Sequence, residues 1–122
     1  MSGQQSMKLG QWGEKLAAQT LEKKGYHLLT ANWRCRYGEI DLIVEDERYL
    51  CFVEVKLRKS STYGSASAFV DWRKQEKLRA SAQLYLSQYP TTRQPRFDVV
   101  EIYVPHGMET REPEIHILEN AF

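Results

Sequence analysis

Gly38-Glu39-Ile40-Asp41-Leu42-Ile43 and Phe52-Val53-Glu54-Val55-Lys56 read as two β-strands that carry charge inside apolar runs. Side chains alternate faces along a strand, so Glu54 and Lys56 point the same way. Ile40 and Leu42 are expected opposite Asp41, and Val53 and Val55 opposite Glu54. If the strands pair, Asp41, Glu54 and Lys56 meet at one spot. Two carboxylates with a lysine beside them suit a hard divalent cation and a phosphate next to it. A backbone carbonyl at the same strand position, such as that of Val55, would add an oxygen ligand.

Working outward, Glu45-Asp46-Glu47-Arg48 is a polar hairpin turn, and Tyr49 to Leu57 forms the strand after it. Tyr26 to Trp33 is a strand before the pair, so the three make an antiparallel meander. A helix is expected from Leu9 to Lys24, ending at Gly25, with residues 1–8 as a flexible tail and 9–122 as a single domain. Glu14 leans toward the inward side of that helix and would complete the carboxylate cluster if the helix packs across the sheet. Lys59 to Ser67 is a small-residue polar loop. A second helix follows from Asp71 to Gln88, with Lys74 one turn before Leu78 on its apolar stripe. A strand over Arg96 to Val104 and a short one over Glu114 to Leu118 complete the chain. The order α-β-β-β-α-β, with this last short strand after it, defines a mixed α/β domain with a central sheet flanked by helices.

The totals narrow the function classes. At 122 residues the chain is one domain, and 42% hydrophobic with 27% charged residues fits a globular protein. No apolar run approaches the roughly 20 residues of a membrane span, and Met1 to Lys8 lacks the apolar core of a secretion signal. Cys35 and Cys51 have no ligand spacing and read as thiols on strands in a reducing compartment, so a cytoplasmic location is expected. His27, His106 and His116 are scattered. Net charge is +1, but residues 55–79 hold seven basic against two acidic side chains. From Asp98 onward six acids face Arg111 alone. One basic face is what a polyanion contact needs. Arg34 and Arg36 before Gly38, Arg58 and Lys59 at the mouth of the serine loop, Lys77 in the basic run and Tyr63 for stacking are the candidate nucleic-acid contacts. Each residue also has a plainer reading. Glu54 and Lys56 can be a same-face ion pair, Glu14 a solvated helix residue and the surface cations ordinary charge.

Gly13-Glu14, Gly38 to Ile43, Phe52 to Arg58, Lys74 and Arg96-Phe97-Asp98-Val99-Val100, in this order, resemble the YraN-like family of predicted bacterial endonucleases. That family is grouped with the PD-(D/E)xK nucleases and is similar to archaeal Holliday-junction resolvases. The resemblance covers Gly10 to Tyr103 and implies a restriction-endonuclease-like core. It implies metal binding and catalysis by Asp41 and Glu54, catalytic roles for Lys56 and Lys74, and the helical glutamate of the resolvase branch at Glu14. Ile40 stands where the superfamily name has proline, a position that is loose in the resolvase branch. The implied cofactor is Mg²⁺ or Mn²⁺, with no small-molecule cofactor. The implied partner is DNA, branched DNA included, and resolvase-like symmetry calls for a homodimer. A nuclease fold that binds nucleic acid without cutting it, and a scaffold holding an internal ion pair, are the competing readings.

Overall fold

The computed structural model describes residues 3–59 and 70–122. Helix α1 spans Gly3–Lys23, strands β1 His27–Cys35, β2 Gly38–Glu45 and β3 Tyr49–Arg58 follow, then helix α2 Trp72–Gln88, β4 Gln94–Tyr103 and β5 Glu114–Leu118. The five strands form one sheet in the order β1-β2-β3-β4-β5. β3 and β4 run parallel, while the other three pairings are antiparallel. A parallel pair needs a crossover, and α2 is that crossover. The result is a mixed α/β sandwich of restriction-endonuclease-like architecture, with the expected order of elements and a fifth strand at the edge.

The two helices cover opposite faces. Ala17, Ala18 and Leu21 of α1 pack on Leu42, Val44, Cys51, Val53, Val100 and Ile102. Leu78, Ala82 and Tyr85 of α2 pack on Ile40, Ile43, Leu50, Phe52 and Val99. β3, central in the sheet, is buried without interruption from Leu50 to Glu54 because both its faces are covered. α1 sits close to the sheet at Gly13, where a Cβ would stand 2.6 Å from Leu57 Cδ2. That approach brings the next residue, Glu14, to the sheet surface.

Three expectations need correction. The N-terminal tail is shorter than residues 1–8, since α1 is helical from Gly3; Gln4, Gln5, Met7 and Lys8 are good helix formers with no breaker among them. β1 and β4 extend past the expected ends, to Cys35 and back to Gln94, where strand pairing continues beyond the apolar centre of each run. Ile40 and Leu42 do not share a face. Ile40 packs under α2 and Leu42 under α1. The alternation breaks because Asn32, which sits across from Asp41 in the β1–β2 register, has φ +54°. Asparagine tolerates this left-handed conformation better than most residues with a side chain.

Asp71 sets the start of α2, its carboxylate accepting from Lys74 N–H at 2.9 Å. Asp71→Ala is therefore expected to lower stability by about 1 kcal/mol in urea unfolding, while Asp71→Ser retains most of it.

Candidate functional site

The site lies where β2 parts from β3. Their ladder runs from Glu45↔Leu50 to Leu42↔Val53 and stops there. One residue further, Asp41 bends out of register and its carboxylate takes over the role of a ladder partner: Val55 N–H donates to Asp41 Oδ2 at 2.8 Å. Val55 thus meets Asp41 through its N–H. The split strand end is an acidic notch. Oxygens of Glu14, Glu39 and Asp41 all lie within 4.8 Å of one another, the one group of metal-ligating side chains of that kind among the described residues. The two acids beside the Asn32 carboxamide assign its orientation: with the nitrogen toward them it donates to Glu39 Oε1 and, at 2.7 Å, to Glu14 Oε2. The residue that kinks β1 also orients two of the three acids.

Glu54 is the fourth carboxylate. It is 4% exposed and sits on the α2 face of β3. Lys74 Nζ approaches its Oε1 at 3.2 Å and Lys56 Nζ at 3.6 Å. Its other oxygen, Oε2, is buried without a hydrogen-bond partner among the described residues. Glu54 thus gathers Lys56 and Lys74 on the α2 face, while Asp41 groups with Glu39 and with Glu14 from α1. The acids oppose one another's ionisation. Burial, then the charge of Glu54 and, more weakly, that of Glu14, push the Asp41 carboxyl up to about 7, against the Val55 hydrogen bond. Glu14 is raised by burial, then by Glu39 and Glu54.

The candidate nucleic-acid contacts divide. Arg34 pairs with Glu39 at 3.5 Å, on the acidic side of the notch. Arg36 lies over the Tyr37 ring, its guanidinium 4.9 Å from the centroid and donating to the Tyr37 hydroxyl at 2.9 Å. Lys59 is exposed at the end of β3 and Lys77 is exposed on α2. Arg58 turns inward instead. Its side chain is 12% exposed and meets Glu101 at 3.6 Å. Its even position on β3 puts it on the covered α2 face with Glu54 and Lys56. Tyr63 and most of the serine loop lie outside the described residues. Two site residues escaped the sequence reading, Glu39 and Asn32. Glu39 stands two residues before Asp41, the spacing at which neighbours along a strand share a face. Asn32 left no such trace, because nothing in the sequence places a left-handed residue inside β1.

Four carboxylates and two lysines at a split strand end of a restriction-endonuclease-like sheet define a domain built around a charged cleft. The comparisons place the chain more closely. The model of the uncharacterised protein family UPF0102 matches residues 13–102. A UPF0102 protein of Caldanaerobacter subterraneus is 46% identical over 119 residues, covering 93% of each chain. Those of Syntrophomonas wolfei and Alkaliphilus metalliredigens are 45% and 40% identical, over 93% and 96% of this chain and 96% and 99% of theirs. The protein belongs to the UPF0102 family, and the YraN-like resemblance holds at that level. No helix of the described residues is long and apolar enough to cross a membrane.

The raised Asp41 carboxyl has a consequence for stability. An acid whose folded pKa exceeds its unfolded value favours the folded state while protonated and loses that contribution as pH rises through the folded value. Asp41→Asn keeps an acceptor for Val55 and removes the charge. In EDTA, its stability relative to the native chain should improve by on the order of 2 kcal/mol between pH 5 and pH 8, measured by urea unfolding.

Proposed function

We propose that this protein is a metal-dependent endonuclease that hydrolyses phosphodiester bonds in DNA, selecting substrates by structure rather than by base sequence. The observation that carries the reading is the pairing of the Glu14–Glu39–Asp41 cluster with the partnerless Oε2 of buried Glu54. A buried carboxylate oxygen without a donor is unfavourable by roughly 1–3 kcal/mol or more. Mutually repelling acids add to that unless a cation completes them. The donor set is all oxygen, which fits Mg²⁺ or Mn²⁺. Asp41 would hold such an ion with Glu14, Glu39 and Glu54 around it. Bound there, it supplies charge neutralisation at the phosphate and acidifies a coordinated water.

The remaining work falls to the chain. Val55 N–H fixes the rotamer of Asp41, and Asn32 holds Glu14 and Glu39. Lys74 and Lys56 neutralise Glu54 from the α2 side. Lys56, partly exposed, has an ammonium that can donate to a phosphate oxygen or to the attacking water.

The test is cleavage of labelled four-way junction, flap and blunt duplex DNA with Mg²⁺, with Mn²⁺ and in EDTA. Metal-dependent cutting of branched substrates is expected, with Asp41→Asn and Glu54→Gln slower by roughly 100-fold or more. Lack of metal-dependent cutting on every substrate, or native rates in Asp41→Asn, would overturn the reading. Salt-sensitive binding without turnover would instead favour a nuclease fold that only binds.

A further inference from the structure

Two cavities meet at Glu39, one on each side of the notch, and their charges differ in sign. The α1-side cavity, about 380 Å³, is lined by Glu14, Glu39 and Asp41 with Arg34 as its one lining cation among the described residues. The α2-side cavity, about 200 Å³, lies between the β1–β2 turn and α2 and is lined by Tyr37, Lys74, Lys77, Leu78 and Ser81. Lys74 lines this second cavity and also reaches the buried Glu54, its ammonium 3.2 Å from Oε1. Lys77 follows one turn later on the same helix face and is exposed. Tyr37 contributes a partly exposed ring, braced by Arg36.

From this we infer that the α2-side cavity is the seat of one unpaired nucleotide next to the scissile phosphate, with Tyr37 stacking on its base and Lys77 contacting its phosphate. The inference rests on the endonuclease reading and assigns that site a substrate feature: a single-stranded overhang, flap or frayed end rather than continuous duplex. The reasoning is electrostatic and geometric. A polyanion is repelled from the acidic α1 side and attracted to the side where lysines line the wall. An aromatic ring beside cations is the usual platform for a splayed base, since every base has a π-face. The α2-side cavity is little more than half the volume of its neighbour and is walled by the β1–β2 turn and α2, a size suited to one nucleotide. The acidic side is left for the cation and water.

The experiment measures fluorescence anisotropy of the full chain in EDTA with labelled blunt duplex and with the same duplex carrying a single-stranded flap. Mn²⁺ binding is titrated separately. Tyr37→Ala should weaken flap binding roughly 5- to 150-fold and leave blunt duplex unchanged, whereas Tyr37→Phe, which keeps the ring, binds like the native chain. Lys77→Ala should reduce the slope of log K against log salt by about 0.7–0.9 for flap DNA. Both residues are surface-accessible, and thermal unfolding confirms that the variants are folded. Native flap affinity in Tyr37→Ala, or an equal loss on flap and blunt DNA, overturns the inference. If Tyr37→Ala behaves as native while Mn²⁺ still binds, the nucleotide seat fails and the endonuclease reading stands. If the native chain binds no Mn²⁺, the endonuclease reading fails and the seat is judged on the flap preference alone.

Discussion

One hydrogen bond organises the site: Val55 N–H to Asp41 Oδ2 at 2.8 Å. Where β2 leaves β3, a backbone donor on the central strand would otherwise face a gap. A buried N–H without an acceptor is unfavourable, so the split is tolerable only if something replaces the lost carbonyl. Asp41 does so with its side chain. The carboxylate is thereby drawn into the crevice, close to Glu14 and Glu39 and within reach of the Glu54 charge, which opposes its ionisation. Structure and chemistry are coupled at that point, because the group that seals the sheet is also the one whose charge is hardest to sustain.

Other features serve this split. Asn32, left-handed in β1 across from Asp41, reverses the facing of the chain so that Trp33 and Ile40 go under α2 while Leu42 goes under α1. Gly13 lets α1 settle against Leu57, which brings Glu14 within reach. On the other face, Asp71 fixes the first turn of α2 and so the position from which Lys74 approaches Glu54. The three devices sit in three different elements, and each acts on one wall of the same crevice.

This explains what the sequence revealed and what it hid. Apolar periodicity located nearly every element, because β3 and the helix faces bury what their patterns say they bury. Charges amid Ile, Leu, Val and Phe marked Asp41, Glu54 and Lys56, since such residues seldom sit mid-strand without a reason. The break in alternation stayed hidden. Ile40 and Leu42 fit a regular strand as well as a kinked one, and the left-handed turn at Asn32 comes from tertiary packing. Glu39 was legible in principle, since its spacing of two from Asp41 puts both on one face of a strand. Arg58 misled in the other direction: a basic residue at a strand end reads as surface, yet its even position on β3 shares a covered face with Glu54 and puts it beside Glu101.

The Arg96–Asp98 ion pair on the opposite face of the sheet differs from the notch in how fully it is satisfied. Arg96 binds Asp98 bidentately, at 2.9 and 2.8 Å, and donates to Tyr26 at 2.7 Å, while Asn120 N–H completes Asp98 at 2.9 Å. The Arg96 guanidinium also lies 4.4 Å from the Tyr49 ring centroid. Both Asp98 oxygens are satisfied, the charges balance, and the arrangement ties the starts of β3 and β4 to the C-terminal segment. At the notch the chain gathers four acids, leaves Glu54 Oε2 without a donor and raises two of the acids toward neutrality. Apolar residues of similar size would be more stable there. What sets the notch apart is the cluster itself: three carboxylates within 4.8 Å of one another, an arrangement that a bound cation would complete.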